Sequence, residues 1–144
     1  MKIAPFLTII TFALWWGGFT FYASWVIPTA HEVTGNHILT GMITQRVSNV
    51  LNVLTTAFIA VSMVTFYVEK RERKQWIPLS IIAGGLLVLV VLHPKMDTFV
   101  QVETQSLSDK TGFYAYHRVY LLVSTAMWLA GLVWLFFFTK RVKY

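Results

Sequence analysis

Four long apolar runs, near residues 5–28, 43–68, 77–92 and 113–138, constrain this chain more than any other feature. A helix of about 20 apolar residues crosses the hydrocarbon core of a bilayer, and three of the runs meet that length. The third, IPLSIIAGGLLVLVVL, reaches it with the tail of the preceding loop or with His93. The chain has 144 residues, 56% of them hydrophobic and 12% charged. A soluble globule of that size cannot cover so much apolar surface. The expected fold is all-α: one integral membrane domain over 1–144, folded as an antiparallel four-helix bundle.

Charge placement orients the expected helices. The net charge is +6, and Lys70, Arg71, Arg73 and Lys74 crowd the short connection between the second and third runs. Lys140, Arg141 and Lys143 follow the fourth run and Lys2 precedes the first. The acids Glu32, Asp97, Glu103 and Asp109 fall in the other two connections. The positive-inside rule then puts both termini in the cytoplasm and segments 29–42 and 93–112 on the far side. That is the topology of a multi-pass protein of a bacterial inner membrane. Anionic lipid headgroups explain the basic residues better than nucleic acid does. The first run is longer than the apolar part of a signal peptide, so it is expected to stay as a helix. There are no cysteines, which excludes disulfides, thiolate metal sites and thiol catalysis.

Polar residues recur at helical spacing inside the runs. Gln45, Asn49, Asn52 and Thr56 share one face of the second, with Ser48 and Thr55 beside it. His117, Tyr120, Ser124, Trp128 and Gly131 make a similar stripe in the fourth, and Thr11, Trp15, Gly18 and Tyr22 in the first. Such faces are costly against lipid and are expected to point inward. Small residues, including Gly84 and Gly85, let helices approach closely. In connection 93–112, Pro94 and Gly112 punctuate the ends, and the spacing of Asp97, Val100, Gln101, Gln105 and Leu107 fits a short surface helix. Pro28 is expected to kink the first helix and keep His31 on a helical extension.

All four histidines fall at one side of the expected membrane: His31, His37, His93 and His117. A lone histidine at an interface ordinarily caps a helix or meets water and headgroups, and His37 in its glycine-flanked loop fits that description. Convergence from three segments is the unusual feature. His31, His93 and His117 are the candidate cofactor ligands, and with Asp97 they are the candidate metal set, since imidazole and carboxylate together suit zinc, copper or iron. Imidazoles from facing helices also suit the axial positions of haem b. A flat cofactor between Trp15 and Trp128 is a further expectation. Arg46 and Arg118, each just inside a helix start, and Asn49 and Asn52 are structural polar candidates. Asp97 and Glu32 are the expected partners of the two arginines. No compact metal signature, phosphate loop or catalytic constellation is present.

The stretches WWGGFTFYASWVIPTAHEVTG, ITQRVSNVLN, LHPKMD and FYAYHRVYLLVSTAMW resemble a family of small four-helix bacterial membrane proteins of unknown function, related to eukaryotic transmembrane protein 205. The shared elements are Pro28, His31, Gly35, a basic residue near 46, and the opening Phe113, Tyr114 and His117 of the last helix. The resemblance implies architecture and carries no settled activity. Two functions are therefore expected. One is a membrane protein with a non-cytoplasmic histidine site for haem or a transition-metal ion. The other is an accessory or structural subunit of a larger, respiratory-type membrane complex, without a cofactor of its own. The bilayer is a partner in both, and other membrane subunits in the second.

Overall fold

A computed structural model describes residues 3–70, 73–101 and 103–140. Lys2, Arg71, Arg141 and Lys143, counted in the charge pattern above, lie outside the described residues. Helix α1 (Ile3–Phe21) runs through a π-helical turn (Tyr22–Val26) into α2 (Ile27–Thr34). Then come α3 (His37–Glu69), a 3-10 turn (Arg73–Gln75), α4 (Trp76–Asp97), strands β1 (Val100–Gln101) and β2 (Ser106–Leu107), and α5 (Lys110–Thr139). Four helical segments, Ile3–Thr34, His37–Glu69, Arg73–Asp97 and Lys110–Thr139, are long and apolar enough to cross a membrane. The chain is thus a multi-pass helical protein by length and composition.

The helices overrun their apolar runs. Helix α3 has 33 residues, about 50 Å at 1.5 Å per residue, against roughly 30 Å of hydrocarbon. The excess collects largely at one end, where α2, the start of α3, the end of α4 and the start of α5 meet. Local capping explains it. Between α2 and α3 the expected fourteen-residue connection shrinks to Gly35 and Asn36. Gly35 takes a left-handed φ of 57° and closes α2 on the His31 carbonyl. Asn36 opens α3, its side chain accepting from the Ile38 and Leu39 amides at 2.8 and 3.4 Å. Asp109 caps α5 by accepting from the Gly112 amide. Pro94 lies inside α4 rather than ending it.

The connection from α4 to α5 forms an antiparallel hairpin, with Val100 opposite Leu107 and Gln101 opposite Ser106, where a surface helix was expected. Gln105 adopts φ 49°, which breaks a helical register and suits a turn. Pro28 follows the π turn directly, where the regular hydrogen-bond ladder of the continuous helix is already interrupted. The π turn before it, closed by the Ile27 amide on the Tyr22 carbonyl, carries the helix onward to His31 as expected.

One core joins four helices. Trp15 of α1 stacks on Phe58 of α3 at 5.1 Å, and Phe58 meets Trp134 of α5 edge-on at 4.8 Å. Leu79, Ile82 and Leu89 of α4 belong to the same cluster. Trp16 stacks directly on Trp128 at 5.1 Å and donates to its carbonyl at 3.2 Å, while the Trp128 ring donates to Thr20 at 2.9 Å. The flat slot expected between Trp15 and Trp128 is filled by these contacts. Gly131 admits the indoles of α1: a Cβ there would stand 2.9 Å from Trp16 and 3.2 Å from Trp15. Gly85 does the same for Met127.

The stripes of the first and fourth spans face inward as expected, but that of α3 is turned. Ser48, Leu51, Thr55, Phe58 and Ser62 are buried, whereas Asn49 and Thr56 are exposed and Gln45 and Asn52 half-buried. Bulky Leu51 and Phe58, interleaved with small hydroxyls, claim the interior. Thr55 folds its hydroxyl back on the Leu51 carbonyl of its own helix at 2.7 Å, whereas the Ser62 hydroxyl has no partner among the described residues.

Candidate functional site

The overrun ends enclose a cavity of about 360 Å³, within the span of small-molecule sites, about 300–1,000 Å³. Every spanning segment contributes to it. Tyr22 comes from the π turn, where the widened backbone aims its phenol across at α3. The hydroxyl lies 3.0 Å from the Ser48 Oγ and donates to the Thr44 carbonyl at 3.2 Å. From α3 come His37, Gly41, Gln45 and Ser48, one helical face over three turns. From α4 come His93, Met96 and Asp97, and from α5 Phe113, His117 and Tyr120.

The imidazoles sit against aromatic rings. His117 stacks on Phe113 at 5.9 Å with planes 9° apart, a contact between successive turns of α5. His93 lies 5.6 Å from the Tyr120 ring, across the junction of α4 and α5. His93 thus meets Tyr120 where α4 packs on α5, and Tyr22 meets Ser48 where the π turn packs on α3. The Gln45 amide donates to the Asp97 carboxylate at 2.6 Å and ties α3 to the end of α4. Val100 of the hairpin borders the cavity, and Asn36 donates to Gln105 at 2.9 Å. The hairpin thus bridges α4 to the α2–α3 turn across the mouth. A second void of about 10 Å³, large enough for one water, lies inward and shares Ser48 and Tyr120. It reaches Ser124, whose hydroxyl has no hydrogen-bond partner among the described residues.

The expected ligand set divides. His93, His117 and Asp97 line the cavity, but His31 does not. The tight Gly35–Asn36 turn leaves His31 exposed, with its ring 4.4 Å from that of His37. His37, expected to be an ordinary interfacial residue, takes its place in the lining. Among the described residues no three of His, Asp or Glu group closely enough to hold a metal ion. Asp97 is engaged by Gln45, not by an expected arginine, and Arg46 and Arg118 are both exposed. Tyr22, Ser48 and Tyr120 were legible only as members of polar stripes. Only the packing of the stripes against one another reveals that they enclose a space. Comparison with known proteins adds no relative: no family model, curated protein or solved structure matches the chain.

Proposed function

We propose that this protein is a membrane-embedded binding protein whose histidine-lined cavity holds one small, neutral ligand at the non-cytoplasmic surface of a bacterial inner membrane. The single observation behind this reading is the convergence of His37, His93 and His117, from three helices, on one cavity. Its orientation follows from the basic residues near Lys70, Arg73 and Lys74, at the end remote from the histidines. An antiparallel bundle with both termini cytoplasmic accompanies that orientation. Kinship with the small four-helix family related to transmembrane protein 205 is part of the same proposal.

Among the described residues no three metal-ligating side chains group together, so a discrete ligand suits the cavity better than a metal ion. A Soret band in purified protein would favour haem instead. The direct test is titration with a neutral naphthyl fluorophore in detergent. The expected result is saturable binding at about one site, weakened about tenfold in Gly41→Phe. Gly41 lines the cavity, and a Cβ there meets nothing within 4 Å. Non-saturable partitioning, unchanged in the variant, would overturn the reading.

A second reading, an accessory subunit of a larger membrane complex, has its own support. Asn49 and Arg46 are exposed on the outward side of α3. A primary amide facing lipid is costly, and a neighbouring chain would relieve that cost.

A further inference from the structure

The polar chemistry of the cavity narrows the class of ligand, if the binding reading above holds. No lysine or arginine lines it, so a phosphate or carboxylate headgroup would enter without a counter-charge. Its one carboxylate, Asp97, is at an exposed position and already accepts from Gln45 at 2.6 Å, a poor basis for holding an organic cation. A bare acyl chain would leave the His93 and His117 imidazoles facing hydrocarbon. The remaining class is a neutral ring with hydrogen-bonding oxygens.

Two features specify that ring further. Its hydrogen-bond partners would be His93 on α4 and His117 on α5, since Tyr22 and Ser48 already meet each other at 3.0 Å. Both imidazoles are also ambivalent, because a neutral imidazole can donate through one nitrogen and accept through the other. They suit a ligand whose oxygens accept in one oxidation state and donate in another. Phe113 and Tyr120, packed beside the two imidazoles, offer apolar surface to a flat ring. We propose that the cavity binds the headgroup of a lipid-soluble quinone or its quinol, hydrogen-bonded to His93 and His117 and lying against Phe113 and Tyr120. The proposal concerns binding and includes no electron transfer.

The test is competition in detergent between the naphthyl fluorophore and decylubiquinone, with decylbenzene, which lacks the oxygens, as the comparison. Decylubiquinone is expected to displace the fluorophore from one site, and decylbenzene to do so at least tenfold less effectively. The double variant His93→Leu, His117→Leu removes both imidazoles. It is expected to weaken decylubiquinone about tenfold beyond any change in fluorophore affinity, the loss of two neutral hydrogen bonds. His31→Ala, outside the cavity, is expected to change neither. If the double variant does not fold, the milder His93→Gln and His117→Gln single variants carry the same comparison. Failure of decylubiquinone to displace a bound fluorophore overturns the quinone assignment and leaves the cavity reading intact. Equal displacement by decylbenzene, or unchanged decylubiquinone affinity in the histidine variants, overturns it too. Failure of the fluorophore itself to bind saturably overturns the cavity reading instead.

Discussion

At the scale of single residues, paired hydroxyls link helices through this interior. The Thr8 and Thr65 hydroxyls meet at 2.8 Å between α1 and α3, and both residues are fully buried. Thr8 also donates to the Ala4 carbonyl at 3.0 Å, so the pair keeps a partner even when it opens. Hydrogen bonds between membrane helices contribute only about 0.6 kcal/mol on average, with a maximum near 1.7. Thr8→Val and Thr65→Val are each expected to lower unfolding free energy in mixed micelles by about 1 kcal/mol. The double variant is expected to lose less than the sum of the singles. Strict additivity would show that the two hydroxyls are not coupled. The histidines illustrate what is legible at this scale. Their crowding toward one end can be counted along the chain. That His37 lines the cavity and His31 does not depends on a two-residue turn whose φ angles no composition reveals.

At the scale of elements, the helix ends matter more than the apolar middles. Apolar runs predict where a helix must exist, because an unpaired backbone cannot face hydrocarbon. They do not predict how far it continues into the interface, where water can satisfy the backbone in either state. There the caps decide, and Gly35, Asn36 and Asp109 each extend a helix past its run. Gly35 has φ 57°, where a Cβ is strained, although nothing stands within 4 Å of that Cβ. Gly35→Ala is expected to cost about 1 kcal/mol, and Gly35→Asn less. Gly41→Ala, inside α3 with open space around it and no positive φ, is expected to be neutral or to stabilise by up to about 1 kcal/mol. Thermal unfolding in detergent measures both. Equal effects at the two glycines would contradict the turn geometry. The hairpin between α4 and α5 was not legible, because two short strands carry too little periodicity to compete with a helical reading of the same residues.

At the scale of the whole molecule, a chain without cysteines lets single introduced thiols report its arrangement relative to the membrane. Single cysteines at Gln105 and Lys74 occupy opposite ends of the spanning segments. With an impermeant maleimide, Gln105→Cys is expected to react in intact spheroplasts and Lys74→Cys only after lysis. The reverse pattern would invert the topology proposed from the basic residues. Asn49→Cys reports on neighbours. If α3 meets another chain, a benzophenone maleimide attached to that cysteine yields a higher-mass adduct from native membranes on illumination. A lone monomer under the same treatment removes the support for an accessory subunit.

Hydropathy and helical period by themselves determined the all-helical class, the four segments able to span a bilayer, and the inward faces of the first and last spans. Those follow from the cost of placing backbone and polar groups in hydrocarbon, which is local to each segment. The tertiary structure alone decided the rotation of α3, which hides Ser48 and Thr55 and exposes Asn49. It also decided the pairing of Asp97 with Gln45 and the choice of histidines around the cavity. Each of those depends on which side chains from other helices fill the same space. Packing between helices resolves that competition, and one-dimensional spacing does not encode it.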